Sequence, residues 1–241
     1  MHQFGVTRSS YRRDHLLHTP DAFVRAPLPG MYKSTAIIHM APAVAARFTQ
    51  YTAEFQPGGK LGATPWQRFL YVLEGEVEAN GIVLKSRGFT YFPPESMAHV
   101  EAQSAARVAV IEKAYVPLPG TATPGCFTGH EDEITPAPLM GDDALLVRSL
   151  VPDDCAFDFA VNTMTYLPGA TLPMVEIHVM EHGLLMLSGG GICRLGDQWY
   201  PVAEGDFIWM APFCPQWFGA LGKTPAKYLI YKDWNRHPAP T

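Results

Sequence analysis

Apolar residues recur along this chain in short runs. Many alternate with polar ones, and Gly, Pro, Asn or Asp closes each run. A period of two between turn signals predicts strand, and long segments with a 3.6-residue period are hard to find. In the first half, Arg68 to Val77 reads as strand, a glycine turn at Gly75, and strand. A turn at Asn80-Gly81 follows, then Gly88-Phe89-Thr90-Tyr91-Phe92-Pro93-Pro94 and a last strand, Ala109 to Lys113. The second half repeats the order. His182 to Gly189 takes the first place, Gly196-Asp197 the turn, Gly205 to Pro212 the next strand and Tyr228 to Lys232 the last. Gly75 and Gly189 are 114 positions apart, Gly88 and Gly205 117, and Lys113 and Lys232 119. A drift that small is what changes in turn length produce. The expectation is an all-β chain of two tandem jelly-roll barrels.

Between the repeats the chain is rich in proline, from Val116-Pro117-Leu118-Pro119-Gly120 through Pro136 and Pro138, and it holds the acidic run Glu131-Asp132-Glu133. It reads as a semi-rigid linker and surface strap. The partition is therefore 1–117 for an N-terminal arm and first barrel, 118–143 for the linker, and 144–241 for the second barrel. The arm, about residues 1 to 35, is expected to pack on the body or on a neighbouring subunit. Hydrophobic residues are 47% and charged residues 17% of the 241 positions, enough for packed cores. A formal charge of −5 with no long Lys/Arg run argues against a nucleic-acid footprint. No apolar stretch of membrane-spanning length or signal-peptide type is present. The four cysteines are scattered without a C-x-x-C pair, which fits free thiols in a cytoplasmic setting.

The chemistry concentrates in Glu176-Ile177-His178-Val179-Met180-Glu181-His182-Gly183, with Gly205 to Pro212 and Gln216 beyond it. On a strand, Glu176 and His178 share a face. His182 returns to that face if the strand bends, and Gln216 arrives from a strand elsewhere in the same sheet. Two imidazoles, a carboxylate and an amide oxygen make a mixed N/O shell that leaves positions open for water or substrate. Such a shell suits Mn(II), Fe(II) or Ni(II) rather than structural zinc. This is the pattern of a metal-binding cupin. Glu181 is expected to face away from His182 in a solvated or salt-bridged role. Aligning the repeats on their glycines places Gly62, Thr64 and Arg68 opposite Glu176, His178 and His182, with His99 opposite Gln216. One ligand does not hold a metal, so the first barrel is expected to be metal-free.

Nearly the whole chain resembles the (S)-ureidoglycine aminohydrolases, manganese-dependent bicupins of allantoin breakdown. The resemblance rests on Tyr11-Arg12-Arg13-Asp14-His15, Glu176-x-His178-x-x-x-His182-Gly183, Arg194 to Val202, Gly205 to Pro212, Pro215-Gln216-Trp217, Ala220 to Thr224 and Tyr228 to Asp233. It implies one Mn2+ per chain, held by Glu176, His178, His182 and Gln216. It also implies substrate contacts at Glu176, Gln216, Tyr228 and Lys232, with Lys232, Tyr228 and Glu176 catalytic, in a homo-oligomer acting on a small ureide. One departure is visible: Cys193 stands where relatives often carry an aromatic residue. Tyr228 and Lys232, four apart, can share a strand face and grip the substrate. A lysine beside a divalent ion should have a lowered pKa and could pass a proton to the leaving amine. Other readings are an Fe(II) oxygenase on the same shell, or a bicupin that binds small molecules without catalysis.

Overall fold

Alternation becomes strand nearly everywhere. The computed structural model describes residues 6–233 and Arg236. Within them lie twenty-one strands and three single-turn 3-10 helices. No helix among these residues is long and apolar enough to cross a membrane. Contacts divide the chain into two units. One gathers Met1–Phe23, Pro136–Arg148 and Val161–Asp233, the other Val24–Thr135, Ser149–Ala160 and Trp234–Thr241.

The boundaries differ from those read in the sequence. Arm and linker are each shared out, because each contributes strands to both units. His15–His18 pairs antiparallel with Phe207–Met210, with Leu17 opposite Ile208, and both side chains enter the core of the second barrel. In the linker, Phe127–His130 pairs with Gly88–Phe92, while Ala137–Leu139 pairs with Asp142–Ser149. Pro138 is tolerated because Ala137–Leu139 ends its sheet, where a missing N–H breaks no ladder. The acidic run is not all surface. Glu131 is fully buried and accepts hydrogen bonds from the Tyr71 hydroxyl at 2.6 Å and Arg87 Nε at 3.2 Å.

The first barrel encloses Tyr51, Ala53, Phe55, Leu70, Val72, Val108 and Val110. Tyr51, Ala53 and Phe55 alternate along Thr49–Leu61 toward this core, while Gln50 and Thr52 between them are buried on the opposite face. In the second barrel an eight-stranded sheet runs in the order Ser10–Tyr11, His15–His18, Phe207–Met210, His182–Ser188, Ala226–Lys232, Ala160–Tyr166, Asp142–Ser149, Ala137–Leu139. A three-stranded sheet sets Gly190–Leu195 between Gln198–Ala203 and Gln216–Ala220. The repeat shows in matching glycines. Gly75 (φ 74°) and Gly189 (φ 68°) are left-handed, and a Cβ on either would come within 2.6 Å of a carbonyl oxygen, of Ala105 and Pro225 respectively.

Register also corrects the sequence alignment at one place. His182 lies opposite Lys232, and Arg68 lies opposite Glu112, not Lys113. A shift of one residue reverses the face a side chain takes. At the positions of His182 and Lys232 the first barrel thus carries a buried ion pair. Arg68 Nε donates to Glu112 Oε1 at 2.7 Å, its Nη1 to the Gly62 carbonyl at 2.8 Å, and the Tyr51 hydroxyl donates to Glu112 at 3.0 Å. Removing one partner strands the other charge in the barrel. Arg68→Met should lower stability by about 3 kcal/mol or more, and Arg68→Met with Glu112→Leu should recover much of that loss, as thermal unfolding would show.

Candidate metal centre

The segment carrying Glu176 and His178 is not the regular strand its alternation predicts. Between isolated bridges of Thr171 to Gly219 and Glu176 to Gln216, residues 172–175 face only 217–218, and this bulge breaks the ladder. At the second bridge the backbones exchange both bonds: Glu176 N–H to the Gln216 carbonyl at 2.8 Å and Gln216 N–H to the Glu176 carbonyl at 2.9 Å. The facing rule survives the irregularity. Glu176 and His178 line a cavity while Ile177 between them is 60% exposed. His182 opens the strand His182–Ser188 of the eight-stranded sheet. Gln216 opens Gln216–Ala220 of the three-stranded sheet, not the same sheet as expected.

The cavity holds about 120 Å³, and its wall includes all six predicted residues: Glu176, His178, His182, Gln216, Tyr228 and Lys232. Met164, Leu172, Leu184, Met210, Phe218 and Ile230 supply much of the apolar remainder. His178 Nε2 lies 3.3 Å from His182 Nε2 and 2.6 Å from the Gln216 amide nitrogen, and Glu176 Oε2 approaches it to 3.8 Å. A divalent ion about 2.1 Å from each donor would set neighbouring donors about 3 Å apart. Two of the three spacings bracket that edge. The third needs the partly exposed Glu176 carboxylate to swing inward by about 1 Å, so the donor set fits an ion with an N/O shell. Turning the Gln216 amide over would present its oxygen.

His182 is prepared for coordination. Its Nδ1 donates to the Tyr231 carbonyl at 3.3 Å, which leaves Nε2 with its lone pair toward the cavity. Burial, the neighbouring His178 and Lys232 hold its pKa well below the usual imidazole value, so the ring is neutral at pH 7. Burial, and then Tyr166, push the Tyr228 phenol well above its usual range. Glu181 corrects the sequence reading: it is 1% exposed rather than solvated, and it accepts the Trp209 indole N–H at 2.8 Å.

The loop before Gln216 is braced from both sides. Phe213, at φ 63°, donates its N–H to the His178 carbonyl at 2.7 Å, and Ala211 N–H donates to the Asp14 carbonyl at 2.9 Å. Asp14, His15 and Cys214 bring potential ligand atoms within 4.8 Å of one another. Both His15 nitrogens are engaged, however, with Asp14 Oδ1 at 2.9 Å and the Tyr200 hydroxyl at 2.9 Å. This cluster braces the loop and has no free imidazole nitrogen for an ion. It also gives the Tyr11-Arg12-Arg13-Asp14-His15 motif a structural use.

Two residues behind the wall escaped the sequence reading. The Tyr166 hydroxyl lies 2.7 Å from that of Tyr228, and Asn162 reaches Lys232 Nζ at 3.0 Å with its amide oriented to satisfy both ends. The available signal was phase. Asn162, Met164 and Tyr166 share one face of Ala160–Tyr166, which puts an amide in register with core-facing residues. Cys193 also lines the cavity, near the aromatic trio of Tyr166, Phe218 and Tyr228, whose ring centroids lie 4.9 to 5.7 Å apart.

Two tandem jelly-rolls, the second with an N/O donor cluster in its barrel, define a bicupin. The family model for a cupin domain matches residues 162–231. The chain is 40% identical over 243 residues to the (S)-ureidoglycine aminohydrolase of Arabidopsis thaliana, covering 97% of this chain and 80% of that protein. It is 32% identical to the Escherichia coli (strain K12) protein of the same name, covering 91% and 88%. Among solved structures, a putative glyoxylate-induced protein from Pseudomonas aeruginosa superposes with a TM-score of 0.87 at 29% identity, covering 100% of this chain and 96% of that one. The chain belongs to the (S)-ureidoglycine aminohydrolase family.

Burial pushes the Cys193 thiol up to about 12 and the Cys214 thiol up to about 11, whereas Cys126 and Cys155 are exposed. Thiolate is the reactive form. A thiol titration near pH 8 should therefore count two fast cysteines in the native protein and four after denaturation.

Proposed function

We propose that this chain hydrolyses (S)-ureidoglycine to (S)-ureidoglycolate and ammonia, a step of allantoin degradation, with one Mn2+ held by Glu176, His178, His182 and Gln216. The names of the relatives support the reaction, and the convergence of those four donors on one cavity carries the assignment to residues. The oxalate decarboxylase of Bacillus subtilis, whose structures include Mn(II) centres, has the same fold at 11% identity and a TM-score of 0.71, and it supports the fold alone.

When bound, a divalent ion polarises substrate and water and lowers the pKa of that water. The chain's own residues do the rest. In the reaction the bond from carbon to the departing nitrogen breaks, a carbon–oxygen bond to water forms, and the amine leaves as ammonia after gaining a proton. Tyr228 and Lys232 lie on one face of Ala226–Lys232 and grip the anionic end of the substrate. Lys232, opposite His182, is also placed to deliver the proton to the leaving nitrogen. Glu176, beside His178, contacts both ion and substrate. The apolar wall excludes bulk water, which strengthens each polar contact inside it. The reading extends to a cytoplasmic homo-oligomer, supported by four free cysteines and by exposed Met174, Ile177 and Phe213 on this barrel.

The test is ammonia release from freshly generated ureidoglycine without oxygen, before and after chelation with manganese add-back. Activity should vanish on chelation and return with manganese. Turnover that requires iron and O₂ would replace this reading with an oxygenase. Lys232→Met should cut turnover by about a hundredfold or more with metal content intact, whereas His182→Ala should lose the metal itself.

A further inference from the structure

The strand Ala160–Tyr166 lies beside Ala226–Lys232 in the eight-stranded sheet. Asn162 meets Lys232 and Tyr166 meets Tyr228, with the same spacing of four taken in opposite order, as antiparallel neighbours require. Neither Asn162 nor Tyr166 belongs to the cavity wall, whereas both of their partners do. We propose that Asn162 and Tyr166 are positioning residues that hold Lys232 and Tyr228 as donors aimed into the cavity. They would thereby build one end of the site to accept a carboxylate. The inference deepens the aminohydrolase reading by naming what selects the anionic end of the substrate.

Hydrogen-bond direction carries the argument. Tyr166 is fully buried, and among the described residues its hydroxyl finds the Tyr228 oxygen. If Tyr228 donated, the Tyr166 proton would be buried without an acceptor, a costly arrangement. Tyr166 therefore donates, and Tyr228 keeps its own proton for the cavity. Asn162 works in parallel. Its amide nitrogen donates to the Val161 carbonyl at 2.9 Å, which turns its oxygen to accept from Lys232 Nζ at 3.0 Å. An ammonium has three protons, so fixing one orients the others. A hydroxyl and an ammonium four residues apart on one strand then face the same ligand group. Both are donors, and the ligand that satisfies both without stranding either is an anion with two oxygens.

The probes are N-carbamoylglycine, which has the ureide and carboxylate but lacks the reacting amine, and its neutral amide. Calorimetric titration into metal-loaded wild type, Tyr166→Phe and Asn162→Leu reads the affinity ratio of acid to amide. Wild type should favour the acid, and Tyr166→Phe should reduce that preference about tenfold, with metal content and melting temperature unchanged. KM for ureidoglycine should rise more than kcat falls. Asn162→Leu should act in the same direction, and if it does not fold, Tyr166→Phe, which removes a single oxygen, decides alone. An unchanged ratio in Tyr166→Phe, or a loss of preference accompanied by loss of metal, would overturn the proposal. The probes do not react, so wild type that prefers the acid but releases no ammonia would sink the proposed reaction and leave this inference standing.

Discussion

The candidate site depends on two backbone hydrogen bonds. Glu176 and Gln216 exchange N–H and carbonyl across an isolated bridge, and that exchange ties an irregular segment to the first residue of a sheet strand. Where the ladder is broken, that exchange and the Phe213 N–H on the His178 carbonyl set the height of Glu176 and His178 over His182. A ladder bond is worth only about 1 kcal/mol net in stability. Its value here is geometric. Donors must sit within a few tenths of an ångström of a common centre, and a segment held at a few points rather than along a full ladder can still adjust to an ion.

The two barrels show what one scaffold does with the same register under different residues. Where the second has His182 opposite Lys232, the first has Arg68 opposite Glu112. Arg68, standing where His182 does, is a donor-only guanidinium with no lone pair for a cation, and its N–H groups go to Glu112 and the Gly62 carbonyl. A buried ion pair is a weak source of stability and a costly one to break. In the second barrel the matching pair, His182 and Lys232, lines the cavity instead.

Much of this was legible in the sequence because it followed from period and spacing. The matching glycines Gly75 and Gly189 marked the repeat, and the alternation of Glu176, Ile177 and His178 gave their facing even where the strand itself fails. Three things were hidden. Residues 7–23 belong with the second barrel, and no local pattern distinguishes an edge strand of one sheet from that of another. Glu181 looked like a surface carboxylate, and only the Trp209 indole across the strand pair reveals it as buried. Asn162 and Tyr166 act through side chains on a neighbouring strand, and partners more than sixty residues away leave no trace in a window of ten.

The pairing of His15–His18 with Phe207–Met210 joins segments almost two hundred residues apart. The other unit is interleaved in the same way, since it draws in Ser149–Ala160 from beyond the proline-rich linker. Neither barrel is therefore one continuous stretch of sequence. The loop that presents Gln216 is anchored to Asp14 as well. A piece cut out from residue 144 onward would lack both the strand His15–His18 and that anchor. Such a piece would carry Glu176, His178, His182 and Gln216 and still lack the brace that fixes the loop before Gln216.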